Sequence, residues 1–140
     1  MINQVRDDFF VLSNFYSAPV KYGGYTYRSN EAAFQAQKTL VETQRIQFIH
    51  LNPSDAKRKG RHVNLRPDWE EVKDNIMYEI VLAKFTQNEA LRKRLISTGE
   101  EELIEGNDWG DQYWGVSNGS GKNKLGQILM RVREEVKNLD

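Results

Sequence analysis

The feature that most limits the fold of this 140-residue chain is a change of hydrophobic period near Ser29. Before it, Val20-Lys21-Tyr22 and Tyr25-Thr26-Tyr27 flank Gly23-Gly24. Two short strand-forming runs around a Gly-Gly pair read as a β-hairpin, because glycine accepts the positive φ such a turn needs. The apolar run Phe9 to Leu12 reads as a further short strand. After Ser29 the spacing is helical. Ser29 or Asn30 caps a helix predicted to run through Leu40, with Glu31 in its first turn. A second helix is predicted from about Thr43 to His50, ended by Asn52-Pro53, and Ser54 opens a short third that stops at Gly60. Asp68 and Glu71 form a capping-box-like pair after Pro67, and Val72, Ile76, Ile80 and Ala83 carry that helix to about Gln87. Asn88 caps a helix over Glu89 to Ile96, ended near Gly99. Residues 100–122 read as irregular except for a strand at Leu103-Ile104. A last helix starts near Asn123, with Leu125, Ile128, Leu129, Val132 and Val136 as its buried stripe. One hairpin followed mainly by helices predicts an α+β, predominantly α, fold.

Length and composition bound the function. The whole of 1–140 reads as one domain, without repeats or linkers. Twenty basic and twenty acidic side chains balance, which argues against a charged coat for nucleic acid. There is no cysteine, so disulfides, thiol nucleophiles and Cys-based zinc sites are excluded. His50 and His62 are the only histidines, too few for a His-rich metal site. The opening MINQVRDDFF lacks the charged-then-apolar run of a signal peptide, and no apolar run has membrane-spanning length, so a cytoplasmic protein is expected. With 39% hydrophobic residues but three Trp, six Tyr and six Phe, much core volume must come from rings.

Four stretches stand out chemically. Glu31, Phe34, Gln35 and Lys38 fall at i, i+3, i+4 and i+7 and share a helical face. Either this mixed face is functional, or Glu31 answers the helix dipole while Lys38 points to solvent. Lys57, Arg58, Lys59, Arg61 and Arg66 make a basic stretch suited to phosphate, or a solvated helix end. Glu100, Glu101, Glu102, Glu105, Asp108 and Asp111 surround Trp109 and precede Trp114-Gly115, a pattern of either a binding loop or a surface acidic loop. Finally, Gly119-Ser120-Gly121-Lys122-Asn123 leads into a helix and offers backbone N–H groups to an anion.

The order of these pieces resembles the YbiA-like family, also called NADAR, of N-glycosidases. The resemblance runs from about Phe9 to Glu135. It is carried by Ser13-Asn14-Phe15-Tyr16, Ser29-x-Glu31 with Phe34-Gln35-Ala36-Gln37-Lys38, Gly60-Arg61, and Leu65-Arg66-x-Asp68-Trp69. It continues through Met77, Lys84-Phe85, Leu103-Ile104-Glu105, Asp111-x-x-Trp114-Gly115 and Gly121-x-Asn123-x-Leu125-Gly126-x-x-Leu129-Met130. One departure is Ala32-Ala33, where many members carry a His-Tyr or similar pair. The resemblance implies a YbiA-like helical domain with a small N-terminal sheet. It also implies cleavage of a ribosyl C1′–N bond without metal or other cofactor. The implied substrates are phosphoribosylated aminopyrimidines of riboflavin synthesis, or ADP-ribose on guanine bases, including guanine in nucleic acid; no membrane partner is implied.

Such cleavage builds positive charge on the sugar and needs help for the departing base. Glu31, Glu105 and Asp111 are the carboxylate candidates, and Lys38, with Lys84 second, is the candidate amine for an imine route. Arg61, Arg66 and the helix start at Asn123 are assigned to phosphate; Gln35 and Gly115 to the substrate site. Phe15, Tyr16, Trp69 and Trp114 are assigned to stacking, with a core role equally open for Trp69. A non-catalytic module for ADP-ribose or a phosphorylated nucleotide would use the same basic and aromatic parts. A protein-interaction domain would instead present the polar face of residues 31–38 to a partner. The reading without a metal predicts that activity survives dialysis against EDTA. Loss on chelation with recovery by Mg²⁺ or Mn²⁺ would assign the acidic stretch to a metal.

Overall fold

The computed structural model describes residues 2–3 and 7–139. In chain order its elements are β1 (Ile2–Asn3), β2 (Ser17–Tyr22), β3 (Tyr25–Ser29), α1 (Asn30–Ala36), α2 (Glu42–Arg45), α3 (Pro53–Lys59), α4 (Trp69–Gln87), α5 (Glu89–Ser97), β4 (Leu103–Ile104) and α6 (Lys124–Val136). Short 3-10 helices cover Asp7–Leu12 and Ile46–Phe48. The chain forms two compact units, Asn14–Gln87 and Met1–Ser13 with Asn88–Asp140. Among the described residues no helix is long and apolar enough to cross a membrane.

In the unit Asn14–Gln87 the hairpin forms as its turn demands, with Gly23 at φ +60° and Gly24 at +92°. Strands β2 and β3 pair antiparallel, Val20 opposite Tyr27 and Tyr22 opposite Tyr25. Ala18 and Val20 alternate inward on β2. The edge of β2 is closed by a side chain: the Lys21 N–H donates to Gln87 Oε1 at 2.8 Å, and Gln87 Nε2 donates to the Lys21 carbonyl at 2.9 Å. Helix α4 packs on β2 through a stripe of Ile76, Met77, Ile80, Val81 and Phe85. Helix α1 packs against β3, α3 and α4, and all seven of its residues are buried. Ala32 and Ala33, at the position of the family departure, have no exposed surface.

Several element boundaries differ from expectation. Ser29 caps α1 by accepting the Ala32 N–H at 3.1 Å, but the helix ends at Ala36, not Leu40. Arg45 explains the stop: its Nη2 donates to the Thr39 carbonyl at 2.6 Å and its Nε to that of Ala36 at 3.3 Å. These carbonyls need no further helical turn. Residues 37–38 make a turn instead, after which Thr39 is bridged to Leu65, and the Arg66 N–H donates to the Lys38 carbonyl at 2.7 Å. The expected helix of 43–50 is α2 followed by a 3-10 turn, and Asn52, not Ser54, caps α3 by accepting the Asp55 N–H at 2.8 Å. Asp68 spends its carboxylate on Arg66 instead of a capping box, at 2.6 and 3.1 Å.

In the other unit β1 and β4 pair in parallel, Ile2 opposite Leu103. Helix α6 covers β4 with Leu125, Leu129, Val132 and Val136, each buried. Burial of each leucine contributes about 1.5–3 kcal/mol. Arg133 Nη1 donates to Thr98 Oγ1 at 2.9 Å and to the Glu101 carbonyl at 2.8 Å, tying α6 to the turn after α5. Phe9 to Leu12 is not a strand. The segment coils into the 3-10 helix Asp7–Leu12, where Arg94 Nη2 donates to the Asp8 carbonyl at 2.6 Å and α5 packs beside it.

One residue breaks the apolar stripe of α4. Lys84 is 1% exposed, its Nζ 5.1 Å from the Phe85 ring centre and 5.7 Å from that of Tyr16. Burial pushes its pKa from 10.5 down to about 7. The unfolded chain therefore holds a proton there that the folded chain gives up between about pH 7 and 10.5. Proton binding is greater in the unfolded state across that window, so stability rises with pH through it. Urea unfolding of the wild type should show this rise, and Lys84→Met should flatten it while raising stability at pH 7. An unchanged slope in Lys84→Met would assign the pH dependence elsewhere.

Candidate active site

Within the unit Asn14–Gln87, α1 carries the carboxylate. Glu31 is 8% exposed, and Gln35 one turn later donates from Nε2 to Glu31 Oε2 at 2.6 Å. A short bond to an ionised acceptor is the stronger kind. The start of α1 is tied to the Ser13–Tyr16 motif: the Glu31 N–H donates to the Asn14 carbonyl at 3.0 Å, and Asn30 Nδ2 to Asn14 Oδ1 at 3.3 Å. Asn14 Nδ2 in turn lies 3.3 Å from Met77 Sδ on α4.

Lys38 stands half-buried in the turn just past the end of α1. Its pKa is lowered. Burial is the main cause, Glu31 opposes it, and Arg61, Lys57 and Lys73 lower it further. Glu31, Gln35 and Lys38 thus do share one side, as their spacing predicts, although Lys38 lies beyond the helix. The cations around them come from α3 (Lys57), the turn after it (Arg61) and α4 (Lys73). Lys57 Nζ also lies 5.8 Å from the Phe15 ring centre, within cation–π range.

The remaining candidates of this unit have more structural surroundings. Arg66 is engaged by both Asp68 oxygens, which raise its pKa. Trp69 is buried against Phe34, ring centres 5.1 Å apart, so of its two open roles the core one is met. Tyr16 lies against Lys84, and Arg61 is exposed. Lys73 was not legible as a neighbour of Lys38; its one signal is its place a turn after Trp69, whose ring contact sets α4 beside α1.

Glu105, Asp111, Trp114, Gly115 and Asn123 belong to the other unit. Glu105 is 7% exposed. Its N–H donates to Asn123 Oδ1 at 2.9 Å and its carbonyl accepts the Val116 N–H at 2.8 Å. Gly115 packs so closely that a side chain there would collide with the Glu105 carbonyl. Asp111 Oδ1 accepts the N–H groups of Tyr113 and Trp114 at 3.1 and 2.9 Å, folding its own loop. Trp114 meets Tyr113 edge-on at 4.8 Å. The helix start does not present the N–H cradle that its glycines suggest. The N–H groups of Asn123, Lys124 and Leu125 donate to the carbonyls of Gly115, Tyr113 and Trp114 at 3.2, 3.1 and 2.9 Å. Asn123 Nδ2 adds a bond to the Leu103 carbonyl at 2.9 Å, so this residue clamps β4. Among the described residues no three His, Cys, Asp or Glu side chains cluster as a metal site.

Residues 2–137 match the NADAR domain family. The chain belongs to that family. N-glycosidase YbiA of Shigella flexneri is 41% identical over 134 residues, spanning 93% of this chain and 83% of the relative. An N-glycosidase of Nostoc punctiforme is 42% identical over 116 residues, 78% of this chain and 74% of that one. A riboflavin biosynthesis protein of Vibrio vulnificus is 37% identical over 131 residues, 89% of this chain but 35% of its own length. The NMR structure of YbiA from E. coli superposes with a TM-score of 0.85 at 39% identity, covering 96% of this chain and 82% of that one. The NADAR fold here is accordingly α+β and mostly helical, with sheets of two strands each. The NADAR relatives named here as N-glycosidases make this an enzyme family of hydrolases acting on N-glycosyl bonds.

Proposed function

We propose that this N-glycosidase cleaves the C1′–N bond of a phosphorylated ribosyl amine, with a phosphoribosylated aminopyrimidine as its substrate. The observation that carries the reading is the grouping of buried Glu31 and Lys38 among Lys57, Arg61 and Lys73. A substrate phosphate complements the excess of cations, and the riboflavin-biosynthesis name of the relative from Vibrio vulnificus supports an aminopyrimidine as the leaving group. ADP-ribose on guanine, free or in nucleic acid, carries the same C1′–N bond and a diphosphate, and is the second substrate to test.

Glu31 acts as the acid–base group. In the opened sugar, C1′ is joined to the leaving nitrogen as an imine. The Lys38 amine adds to C1′, the C1′–N bond to the pyrimidine breaks, and both protons of the Lys38 amine pass by way of Glu31 to the departing nitrogen, which leaves as the free amine. A Lys38–C1′ imine remains. Water then adds to C1′ and releases the sugar aldehyde and the lysine amine, so the sum is substrate plus water giving sugar plus free amine. The lowered pKa of Lys38 supports this route, because it increases the fraction of nucleophilic amine.

Turnover on the phosphoribosylated aminopyrimidine, read by chromatography of the free base, should fall at least about a hundredfold in Glu31→Gln with folding retained, the size of a lost acid–base group. Borohydride added during turnover should leave a sugar adduct on Lys38, absent in Lys38→Arg. No adduct, with partial activity in Lys38→Arg, would reduce Lys38 to a positioning charge and leave direct attack by water.

A further inference from the structure

We propose that Gln35 is a positioning residue that holds the Glu31 carboxylate for reaction, and that Gly60 is a glycine in order to let Gln35 do so. The inference rests on the catalytic reading of Glu31 but concerns a separate question, namely what fixes that carboxylate in place.

Three observations meet here. Gln35 is 6% exposed and gives its Nε2 to Glu31 Oε2 at 2.6 Å. Its other amide atom, Oε1, is buried and has no hydrogen-bond partner among the described residues. A buried acceptor left unpaired is unfavourable and persists only where a stronger interaction fixes the group. That interaction is the bond to Glu31. Turning the amide over would place the carbonyl oxygen against a carboxylate oxygen, two acceptors with no proton between them. The orientation is therefore dictated by Glu31, not by the surroundings of Oε1.

The third observation is Gly60. It caps α3 with φ −59° and ψ −18°, ordinary right-handed backbone that any residue adopts, so conformation does not call for a glycine. Space does. A Cβ at residue 60 would fall on Gln35 Oε1, and the next atom it meets is Gln35 Cδ. Any side chain at 60 would drive the amide off its present position and off Glu31. The close approach of α3 to α1 thus acts on the carboxylate through one side chain. Gln35 has no need to touch substrate for this, which changes its assignment from substrate contact to support of Glu31.

The test uses the full chain and the phosphoribosylated aminopyrimidine. Gln35→Met keeps the volume and removes the donor, whereas Gly60→Ala keeps Gln35 and displaces its amide. Each should lower kcat at least about tenfold with KM little changed, since a misplaced group costs chemistry more than binding. The double variant should be no worse than either single one, because both break the same bond. Normal kcat in a folded Gln35→Met, or losses that multiply in the double variant, would overturn the proposal. Glu31→Gln run in parallel separates the two readings: full turnover there sinks the catalytic role of Glu31, whatever Gln35 does. A measurement without substrate stands beside these. The side-chain amide of Gln35 in ¹⁵N-labelled protein should exchange slowly with solvent, and should shift and lose protection in both Glu31→Leu and Gly60→Ala. Resonances unchanged by those substitutions would overturn the proposal even if no substrate turned over.

Discussion

A carboxylate inside a helix with no exposed residue must be partnered, and the unit Asn14–Gln87 is organised around that requirement. Helix α1 buries Asn30, Glu31 and Gln35 along with its alanines and Phe34. Taking an ionised group out of water is costly unless charge and hydrogen bonds compensate. Glu31 receives a hydrogen bond from Gln35 and interacts with the ammonium of Lys38, which compensates its burial. The hairpin supplies the cap at Ser29, Asn14 accepts the Glu31 N–H, and α3 approaches closely enough at Gly60 to seat the Gln35 amide.

Lys38 depends on the early end of α1. One more helical turn would carry residues 38–40 along the helix axis. Instead Arg45 takes the Ala36 and Thr39 carbonyls and the segment pairs with residues 65–66. That holds Lys38 half-buried within reach of Glu31, Lys57, Arg61 and Lys73. Repulsion among cations and loss of hydration act in the same direction on its ammonium, and only Glu31 opposes them. A bound phosphate would relieve the same repulsion, which is why the proposed substrate carries one.

What could be read from the sequence was local. The Gly23-Gly24 turn, the Ser29 cap and most of the α6 stripe follow from a few neighbouring residues and appear where expected, whereas on α4 Ile76 and Ile80 are buried as expected but Val72 and Ala83 are only half-buried and Met77, Val81 and Phe85 complete the stripe. The shared side of Glu31, Gln35 and Lys38 was legible for the same reason. What failed depended on distant partners. The end of α1 is set by Arg45, the coil at Asp7–Leu12 by Arg94, and the pairing of β1 with β4 by residues a hundred positions apart. The glycine-rich approach to α6 looked like an anion cradle because no local rule shows that its N–H groups are already given to residues 113–115. Arg66, assigned to phosphate, gives the Nε and Nη2 edge of its guanidinium to Asp68, two residues on. Lys84 sat at a stripe position of α4, but nothing local says that its ammonium ends up under Tyr16 and Phe85.

Buried Glu31 and half-buried Lys38 form a pair under pressure from surrounding cations. The most direct measurement is an NMR titration of the Lys38 side chain, with ¹³C-labelled lysine assigned by Lys38→Arg. Its midpoint should lie below that of an ordinary lysine, about 10.4, and should fall further in Glu31→Gln, which removes the charge that holds the proton. An ordinary midpoint, or one that does not move when Glu31 loses its charge, would contradict the account.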